Sequence, residues 1–262
     1  MPAASDPSDT PSVHVIHENS EWTAPLFRAL EARNVPYRDW HLNAGSLELD
    51  ASPPAGVFYS RMSASSHTRG HRFAPELTAG VLDWLEGYGA RVINPRSALT
   101  LELSKISQYA ALRRHDIRTP LTIAAVGKEA LVDAAKSMRG AFITKHNRAG
   151  KGLGVRLFES AAALSRALER GEYEDSIDGV NLVQQYIEAP TPHITRVEFI
   201  GRKFFYAVRV DTSEGFELCP AQSCALDDVF CPAGENAAGA KFEIIQGFGH
   251  PLVQRFERFM SA

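Results

Sequence analysis

Hydrophobic and polar positions alternate in a regular order along the first third of the chain. Short β-branched or aromatic runs predict four strands, at residues 13–17, 37–42, 56–59 and 91–94. Apolar residues at helical spacing predict one helix that Thr23 is expected to cap, and another over residues 76–88. Because strands that alternate with helices are typical of parallel α/β proteins, residues 13–95 are predicted to form a small parallel sheet.

The remainder of the chain shows a different pattern. A long apolar stripe predicts one helix over residues 97–115, and a strand follows at 121–126. The runs 194–200 and 204–210 flank a short turn and predict a β-hairpin. Helices combined with antiparallel strands indicate an α+β domain, which we place at residues 96–262.

Composition narrows the class of protein. With 262 residues, the chain can bury a core in one large or two smaller domains. A net charge of −3 gives no overall basic surface, so nucleic acid is not expected as a partner. No apolar run is long enough to span a membrane, so no membrane partner is expected. Residues 1–12 are rich in Pro, Ser and Asp and are predicted to be a disordered lead without a targeting signal.

The cysteines lie close together near the end of the chain, at Cys219, Cys224 and Cys231. An odd number of cysteines without a signal peptide favours reduced thiols and a cytoplasmic location. Their C-x4-C-x6-C spacing, with no close histidine, is a weak match to a zinc site. Their role stays open.

The stretch that carries most chemistry is residues 141–158, AFITKHNRAGKGLGVRLF, in which two apolar runs flank a polar loop. Glycines alternate in this loop, at Gly150, Gly152 and Gly154. Without Cβ atoms, such a loop can turn several N–H groups toward one point. Three cations accompany it: Lys145, Arg148 and Lys151. A concavity of N–H groups ringed by cations suits a polyphosphate.

Other interpretations of this loop remain. It is not a Walker A loop, because the chain contains no G-x-x-x-x-G-K-[ST]. It is a poor dinucleotide fingerprint, because the residues that follow predict a strand and that motif opens a helix. An ordinary glycine-rich hairpin with solvated charges is the third alternative.

The order of these elements resembles the ATP-grasp superfamily, and most closely its RimK-like carboxylate–amine ligases. The resemblance covers about residues 13–225 and rests on four local matches. They are Asn94-Pro95 followed by a helix with Lys105, the element HDIRTPLT at 115–122, Ile143-Thr144-Lys145 with the glycine loop, and QQYIE at 184–188. Lys105 and Lys145 are 40 residues apart in the sequence, as the layout of that family implies.

The resemblance implies an ATP site and a role for each matching residue. Two lysines and the loop are expected to hold the phosphates: Lys105, Lys145, Arg148, Gly150, Lys151, Gly152 and Gly154. A hinge is expected to hold adenine and ribose: Gln184, Gln185, Tyr186, Ile187 and Glu188. One arginine on each strand of the hairpin, Arg196 and Arg209, is expected to face the transferred phosphoryl group. Apolar neighbours of both arginines predict that they are partly buried and need partners, and Glu198 is a candidate partner of Arg196.

The family also implies Mg²⁺, held by a carboxylate and a later Glu-x-Asn pair. No good match to that pair is present, since Asp227, Asp228, Glu235 and Asn236 lie in a loop-like stretch. The metal ligands are therefore unknown. The fold class expected from the resemblance is an α/β N-terminal sheet, pre-ATP-grasp-like, followed by an α+β ATP-grasp domain that is incomplete at its C-terminus.

The activity that the resemblance implies is ATP-dependent ligation of a carboxylate to an amine through an acyl-phosphate, with small-molecule or peptide substrates. An ATP-binding protein that does not turn over, and a small-molecule kinase, are the alternatives. The polar stretch 61–72 follows a strand end and is expected either to hold a carboxylate substrate or to be a solvated loop. Whether the chain forms a homo-oligomer stays open.

Overall fold

The computed structural model describes residues 11–150, 152, 154–213 and 242–261. The chain divides into two compact units, Met1–Ser104 and Lys105–Ala262. Lys151 and the three cysteines lie outside the described residues, as do Asp227, Asp228, Glu235 and Asn236. No helix in the described ranges has the length and apolar character needed to cross a membrane.

Unit 1 contains a four-stranded sheet in the order β2-β1-β3-β4, in which every pair is parallel. Its strands are β1 (Ser12–His17), β2 (Tyr37–His41), β3 (Gly56–Ser60) and β4 (Arg91–Ile93). Its helices are α1 (Ser20–Glu31), α2 (Ala74–Gly87) and α3 (Arg96–Leu103), and a short 3₁₀ helix spans Ser66–Arg69. The strands lie where the alternation of apolar and polar residues predicts them.

The core of unit 1 forms where α2 meets the sheet. Val81, Leu82 and Leu85 recur at helical spacing on one face of α2 and are buried with Ile16 and Phe58. The sheet also requires Gly56, because a Cβ atom there would lie 2.1 Å from the carbonyl oxygen of Ser12 on β1. The core therefore follows directly from the apolar pattern of the sequence.

The predicted cap of α1 is wrong. Asn19 occupies the N-cap position, and its side chain accepts a hydrogen bond from the backbone N–H of Trp22 at 3.0 Å. Thr23 lies inside the helix, where its hydroxyl donates to the carbonyl oxygen of Asn19 and contacts Nδ1 of His17. Helix α1 consequently begins at Ser20.

Unit 2 contains two antiparallel sheets. The first has the order β5-β8-β6-β7 and the second has the order β11-β10-β9. The strands are β5 (Thr122–Ala125), β6 (Phe142–His146), β7 (Arg156–Phe158), β8 (Asn181–Gln185), β9 (His193–Ile200), β10 (Lys203–Asp211) and β11 (Phe242–Ile244). The helices are α4 (Lys105–Arg114), α5 (Lys128–Lys136), α6 (Ala161–Glu169) and α7 (Leu252–Ser261). The predicted combination of helices, parallel strands and antiparallel strands is confirmed.

Helices α5 and α6 cover one face of the first sheet of unit 2. Leu131 and Leu164 on these helices are buried against Phe142, Phe158 and Val183 on the strands. Along β6 the exposure alternates, so that Phe142, Thr144 and His146 are buried and the residues between them are half-exposed. Lys145 therefore lies on the sheet face opposite the helices α5 and α6.

The single helix predicted over 97–115 is wrong. Ser104 adopts an extended conformation, with φ −136° and ψ 112°, and separates α3 from α4. Asn147 provides the physical reason, since its carbonyl oxygen accepts from the N–H of Lys105 and its side-chain oxygen accepts from the N–H of Ile106. These bonds begin a new helix, and Lys105 is its first residue rather than an interior one.

Candidate functional site

Strand β6 presents the ammonium group of Lys145 to helix α4. Its Nζ donates to the phenol oxygen of Tyr109 at 2.6 Å and lies 5.3 Å from the centre of the Tyr109 ring. Among the described residues, no carboxylate lies within ion-pair distance of this ammonium. The half-buried ammonium thus has a phenol oxygen, and no carboxylate among the described residues, as its partner.

Lys105 is fixed at the start of the glycine loop. Its Nζ donates to the carbonyl oxygens of Ala149, at 2.6 Å, and Asn147, at 3.3 Å. Lys105 and Tyr109 are four residues apart on α4, and residues at this spacing lie on the same helix face. The helix therefore places both lysine ammonium groups along one of its faces, next to the loop.

The loop departs from β6 along a well-anchored path. Asn147 donates from its side chain to Asp178 at 2.7 Å and from its backbone to Val180 at 3.0 Å. Arg148 is only 4% exposed, and its backbone N–H faces the hydroxyl of Ser176. Arg148 is therefore enclosed where the loop begins, next to the anchored Asn147.

The glycines of the loop differ in what they require. Gly152 and Gly154 have positive φ values of 83° and 72°, a region that favours glycine. A Cβ atom at Gly154 would also lie 2.7 Å from the His146 ring. Gly150 has no positive φ and open space around its Cβ position. Only two of the three alternating glycines are thus required by the backbone.

The hinge at the end of β8 keeps fewer free donors than its sequence suggests. The N–H of Gln185 donates to the carbonyl of Leu121, and that of Tyr186 donates to the carbonyl of Ala141. Gln184 is buried, whereas Ile187 is 60% exposed and Glu188 is also exposed. The backbone N–H groups of two of the five hinge residues, Gln185 and Tyr186, are thus already bonded to backbone carbonyl groups.

The two hairpin arginines leave opposite faces of their sheet. Arg196 is directly opposite Val208, whereas Arg209 is directly opposite Thr195. Residues paired across two strands lie on the same face of a sheet, and consecutive residues of a strand lie on opposite faces. Arg209 follows Val208, so the side chains of Arg196 and Arg209 leave the sheet on opposite faces. Both side chains are about half exposed. Arg196 pairs with Glu198, as predicted, and Arg209 pairs with Glu243.

Unit 1 has its own charged cluster, which the sequence did not indicate. The carboxylate of Glu18 follows β1, is 1% exposed, and accepts from Nε and a terminal nitrogen of Arg69. Nδ1 of His71 lies 2.8 Å from the same carboxylate. Burial acts to raise the pKa of Glu18, but its hydrogen bonds to Arg69 and His71 and their charges outweigh burial and lower it. Arg69, in the polar stretch 61–72, is therefore occupied by an internal partner.

A metal site is not evident in this part of the molecule. The described residues contain no group of three or more His, Cys, Asp or Glu side chains that could hold a metal ion.

Tyr109 and Asn147 are the site residues that the sequence did not single out as ligand-related. A signal for both existed, since Tyr109 lies one helical turn after Lys105 and Asn147 opens the loop.

The fold has clear counterparts among solved structures. A RimK domain ATP-grasp protein from Sphaerobacter thermophilus DSM 20745 superposes with a TM-score of 0.58 at 21% identity, over 83% of this chain and 80% of the other. The ATP-grasp ligase PsnB with its minimal precursor gives 0.59 at 17% identity, over 96% and 82%. D-alanyl-alanine synthetase A from Vibrio cholerae O1 biovar eltor str. N16961 gives 0.56 at 11% identity, over 96% and 80%.

At the level of sequence, no family model and no curated protein matches the chain. The assignment therefore rests on three-dimensional similarity that covers at least four fifths of this chain and of each of these three structures. The chain has the ATP-grasp fold, in common with the RimK domain protein, with the ATP-grasp ligase PsnB and with D-alanyl-alanine synthetase A.

Proposed function

We propose that the chain is an ATP-dependent carboxylate–amine ligase that forms an amide bond through an acyl-phosphate. The observation that carries the proposal is the pair of ammonium groups of Lys105 and Lys145 along one face of α4, beside the glycine loop. Lys145 has a neutral partner, so its charge is available to a ligand anion. Two such point charges on separate elements suit the oxygens of a polyphosphate.

The reaction has two steps. A substrate carboxylate oxygen attacks the γ-phosphorus of ATP, the bond to the β–γ bridging oxygen breaks, and ADP leaves. The nitrogen of the amine then attacks the acyl carbon, phosphate leaves with the bonding electron pair, and the amine loses a proton to give the amide. The described residues contain no group of three or more His, Cys, Asp or Glu side chains that could hold a metal ion, and we assign no step to a metal.

Parts of both units have a role in this proposal. Lys105, Lys145 and the glycine loop bind the phosphates, and the exposed end of β8, with Ile187 and Glu188, binds adenine and ribose. The parallel sheet of unit 1 is the counterpart of a pre-ATP-grasp domain. PsnB, a ligase of the same fold, is known in complex with a minimal precursor, Mg and ADP. Peptide or amino acid carboxylates and amines are therefore the first substrates to test.

Only one hairpin arginine can serve the reaction from its observed face, because Arg196 and Arg209 alternate across the sheet. We expect that one of the variants Arg196→Ala and Arg209→Ala lowers ligase turnover about tenfold or more, as loss of a charge-stabilising donor does. The other is expected to stay within about twofold, since its exposed ion pair contributes little. Equal, large losses in both would contradict the opposite placement.

The test is ATP binding by calorimetry, with and without Mg²⁺, followed by ADP release with pairs of candidate carboxylates and amines. The Lys145→Met variant is expected to lose ATP affinity, whereas Lys128→Met, which removes an exposed lysine from α5, is the matched control. Tight ATP binding without ADP release for any pair would favour the alternative of a binding protein without turnover. Failure of the chain to bind ATP, or identical binding by Lys145→Met, would contradict the proposal.

A further inference from the structure

Three hydrogen-bonding groups from three different elements of unit 2 meet at the phenol oxygen of Tyr109. Lys145 on β6 donates to it at 2.6 Å, and the side-chain amide of Gln184 on β8 donates at 3.0 Å. Tyr109 itself belongs to α4. We propose that Tyr109 is a positioning residue that holds the Lys145 ammonium for the phosphates of the nucleotide. The inference rests on the proposed function and adds a residue to its site.

Pro120, Thr122, Gln184 and Tyr109 form a series of hydrogen bonds. The donor and acceptor in each bond follow from the carbonyl group of Pro120, at one end of the series. The carbonyl oxygen of Pro120 can only accept, so the Thr122 hydroxyl donates to it at 3.0 Å. The Thr122 oxygen then accepts from Gln184 Nε2 at 2.7 Å. This contact orients the Gln184 amide, because its nitrogen must face Thr122. The second proton of the same NH₂ group therefore goes to Tyr109.

The phenol oxygen consequently accepts two N–H donors, one neutral and one charged. A tyrosine oxygen offers two acceptor sites and one proton, so both of its acceptor sites are used. Its own proton then points away from Lys145 and Gln184 and cannot repel the ammonium. The series of hydrogen bonds from Pro120 to Tyr109 thus leaves the phenol oxygen able to accept from Lys145 before any ligand binds.

This arrangement has a consequence for the lysine. A lysine side chain is flexible, and ordering it on ligand binding costs rotamer entropy. The bond to Tyr109 uses one of the three N–H donors of Lys145 and leaves two for ligand oxygens. Part of the ordering cost is therefore met in the free protein.

The partner of the Lys145 ammonium is a phenol and not a carboxylate, and this difference affects the binding of an anion. A carboxylate in this position would neutralise Lys145, as Glu18 neutralises Arg69 in unit 1. A phenol orients the ammonium equally well by a hydrogen bond but leaves its charge for the ligand. Tyr109 therefore fits the role of a positioning group and does not compete with a phosphate.

The experiment compares wild type with Tyr109→Phe, which removes the oxygen and keeps the ring. Calorimetry with ATP and with adenosine is expected to show an affinity for ATP that is about fivefold to tenfold weaker, as loss of one charged hydrogen bond predicts. The affinity for adenosine should not change, because adenosine has no phosphate for Lys145. Tyr88→Phe, at an exposed tyrosine of unit 1, is the matched control.

A double-mutant cycle separates positioning from a general structural role. If Tyr109 acts through Lys145, Tyr109→Phe has no further effect on ATP affinity in a Lys145→Met background. Equal losses in both backgrounds, or equal losses for ATP and adenosine, would overturn the inference, and so would unchanged ATP affinity in Tyr109→Phe. Absence of ATP binding by the wild type would instead overturn the proposed function, and the inference with it.

Discussion

The two units of the molecule treat a buried charge in opposite ways. In unit 1, the Glu18 carboxylate is enclosed and has the Arg69 guanidinium and the His71 ring as its partners. In unit 2, the Lys145 ammonium is half-buried and has a phenol oxygen as its partner. The first cluster is closed, because each charge is satisfied by the protein. The second keeps a net positive charge at the edge of a loop, which an anion can satisfy.

The comparison teaches how to separate structural charge clusters from ligand sites. A buried pair is costly to break because removal of one partner leaves the other uncompensated. A cation oriented by neutral groups costs the fold some stability and gains it back only when a ligand binds. Variants in the Glu18 cluster should therefore change stability, and variants at Lys145 should change binding.

The largest expected effect comes from Glu18→Gln. This change leaves Arg69 and His71 without a buried carboxylate and should lower the free energy of unfolding by about 3 kcal/mol. The exposed Glu21→Gln, in the first turn of α1, is the control and should stay within about 0.5 kcal/mol. Denaturant titration of the intact chain measures both. If the two variants have the same stability, the Glu18 cluster does not support unit 1.

Lys145→Met should give the converse result. Loss of one charged contact to phosphate lowers ATP affinity by about 2 kcal/mol, or roughly thirtyfold. The free energy of unfolding should fall by less than about 1 kcal/mol or rise, because a half-buried cation is removed. Calorimetry and thermal unfolding on the same preparation test both parts. A large loss of stability with unchanged affinity would reverse the comparison.

A smaller effect is expected within the glycine loop, where Gly154→Ala and Gly150→Ala form a matched pair. Gly154 has φ 72° and the His146 ring beside it, so alanine should cost about 1–2 kcal/mol. Gly150 has open space and no positive φ, so alanine there should be neutral within about 0.5 kcal/mol. Thermal melting of both variants distinguishes a required glycine from a tolerated one.

The smallest effect is a dependence of stability on pH. The pKa of Glu18 is lowered in the folded state from its ordinary value of 4.5, so the unfolded chain takes up the proton first. Its contribution is therefore complete above about pH 4.5 and is lost as the pH falls below that value. The difference in stability between wild type and Glu18→Gln should shrink from about pH 6 to about pH 3.5. A constant difference would exclude the ionised carboxylate as its source.

The local patterns of the sequence predicted much of the fold. Strands β1 to β4 follow β-branched runs, and α2 follows an apolar stripe from which Val81, Leu82 and Leu85 are buried in one core. Lys145 and the glycine loop were found because a strand, a cation and alternating glycines are contiguous in the chain. The apolar patterns of strands and helices repeat every two or 3.6 residues, so they can be recognised without knowledge of distant residues.

Features that depend on distant residues escaped prediction. The helix over 97–115 breaks at Ser104 because Asn147, more than 40 residues later, caps the new helix. The opposite faces of Arg196 and Arg209 depend on the pairing of β9 with β10, where a slip of one residue reverses every side chain. The N-cap Asn19 was missed for another reason, since Thr23 has the same chemistry four residues later.

The sequence by itself thus determined the position of the glycine loop and the identity of the cationic residues near it. Only the tertiary structure decided which charges are neutralised. Glu18 meets Arg69 across 51 residues of chain, and Gln184 reaches Tyr109 across 75. Charge pairing depends on distances in space, and the periodicity of a sequence carries no information about them. For that reason Arg69 is an internal partner of a carboxylate, whereas Lys145 has a phenol oxygen as its partner.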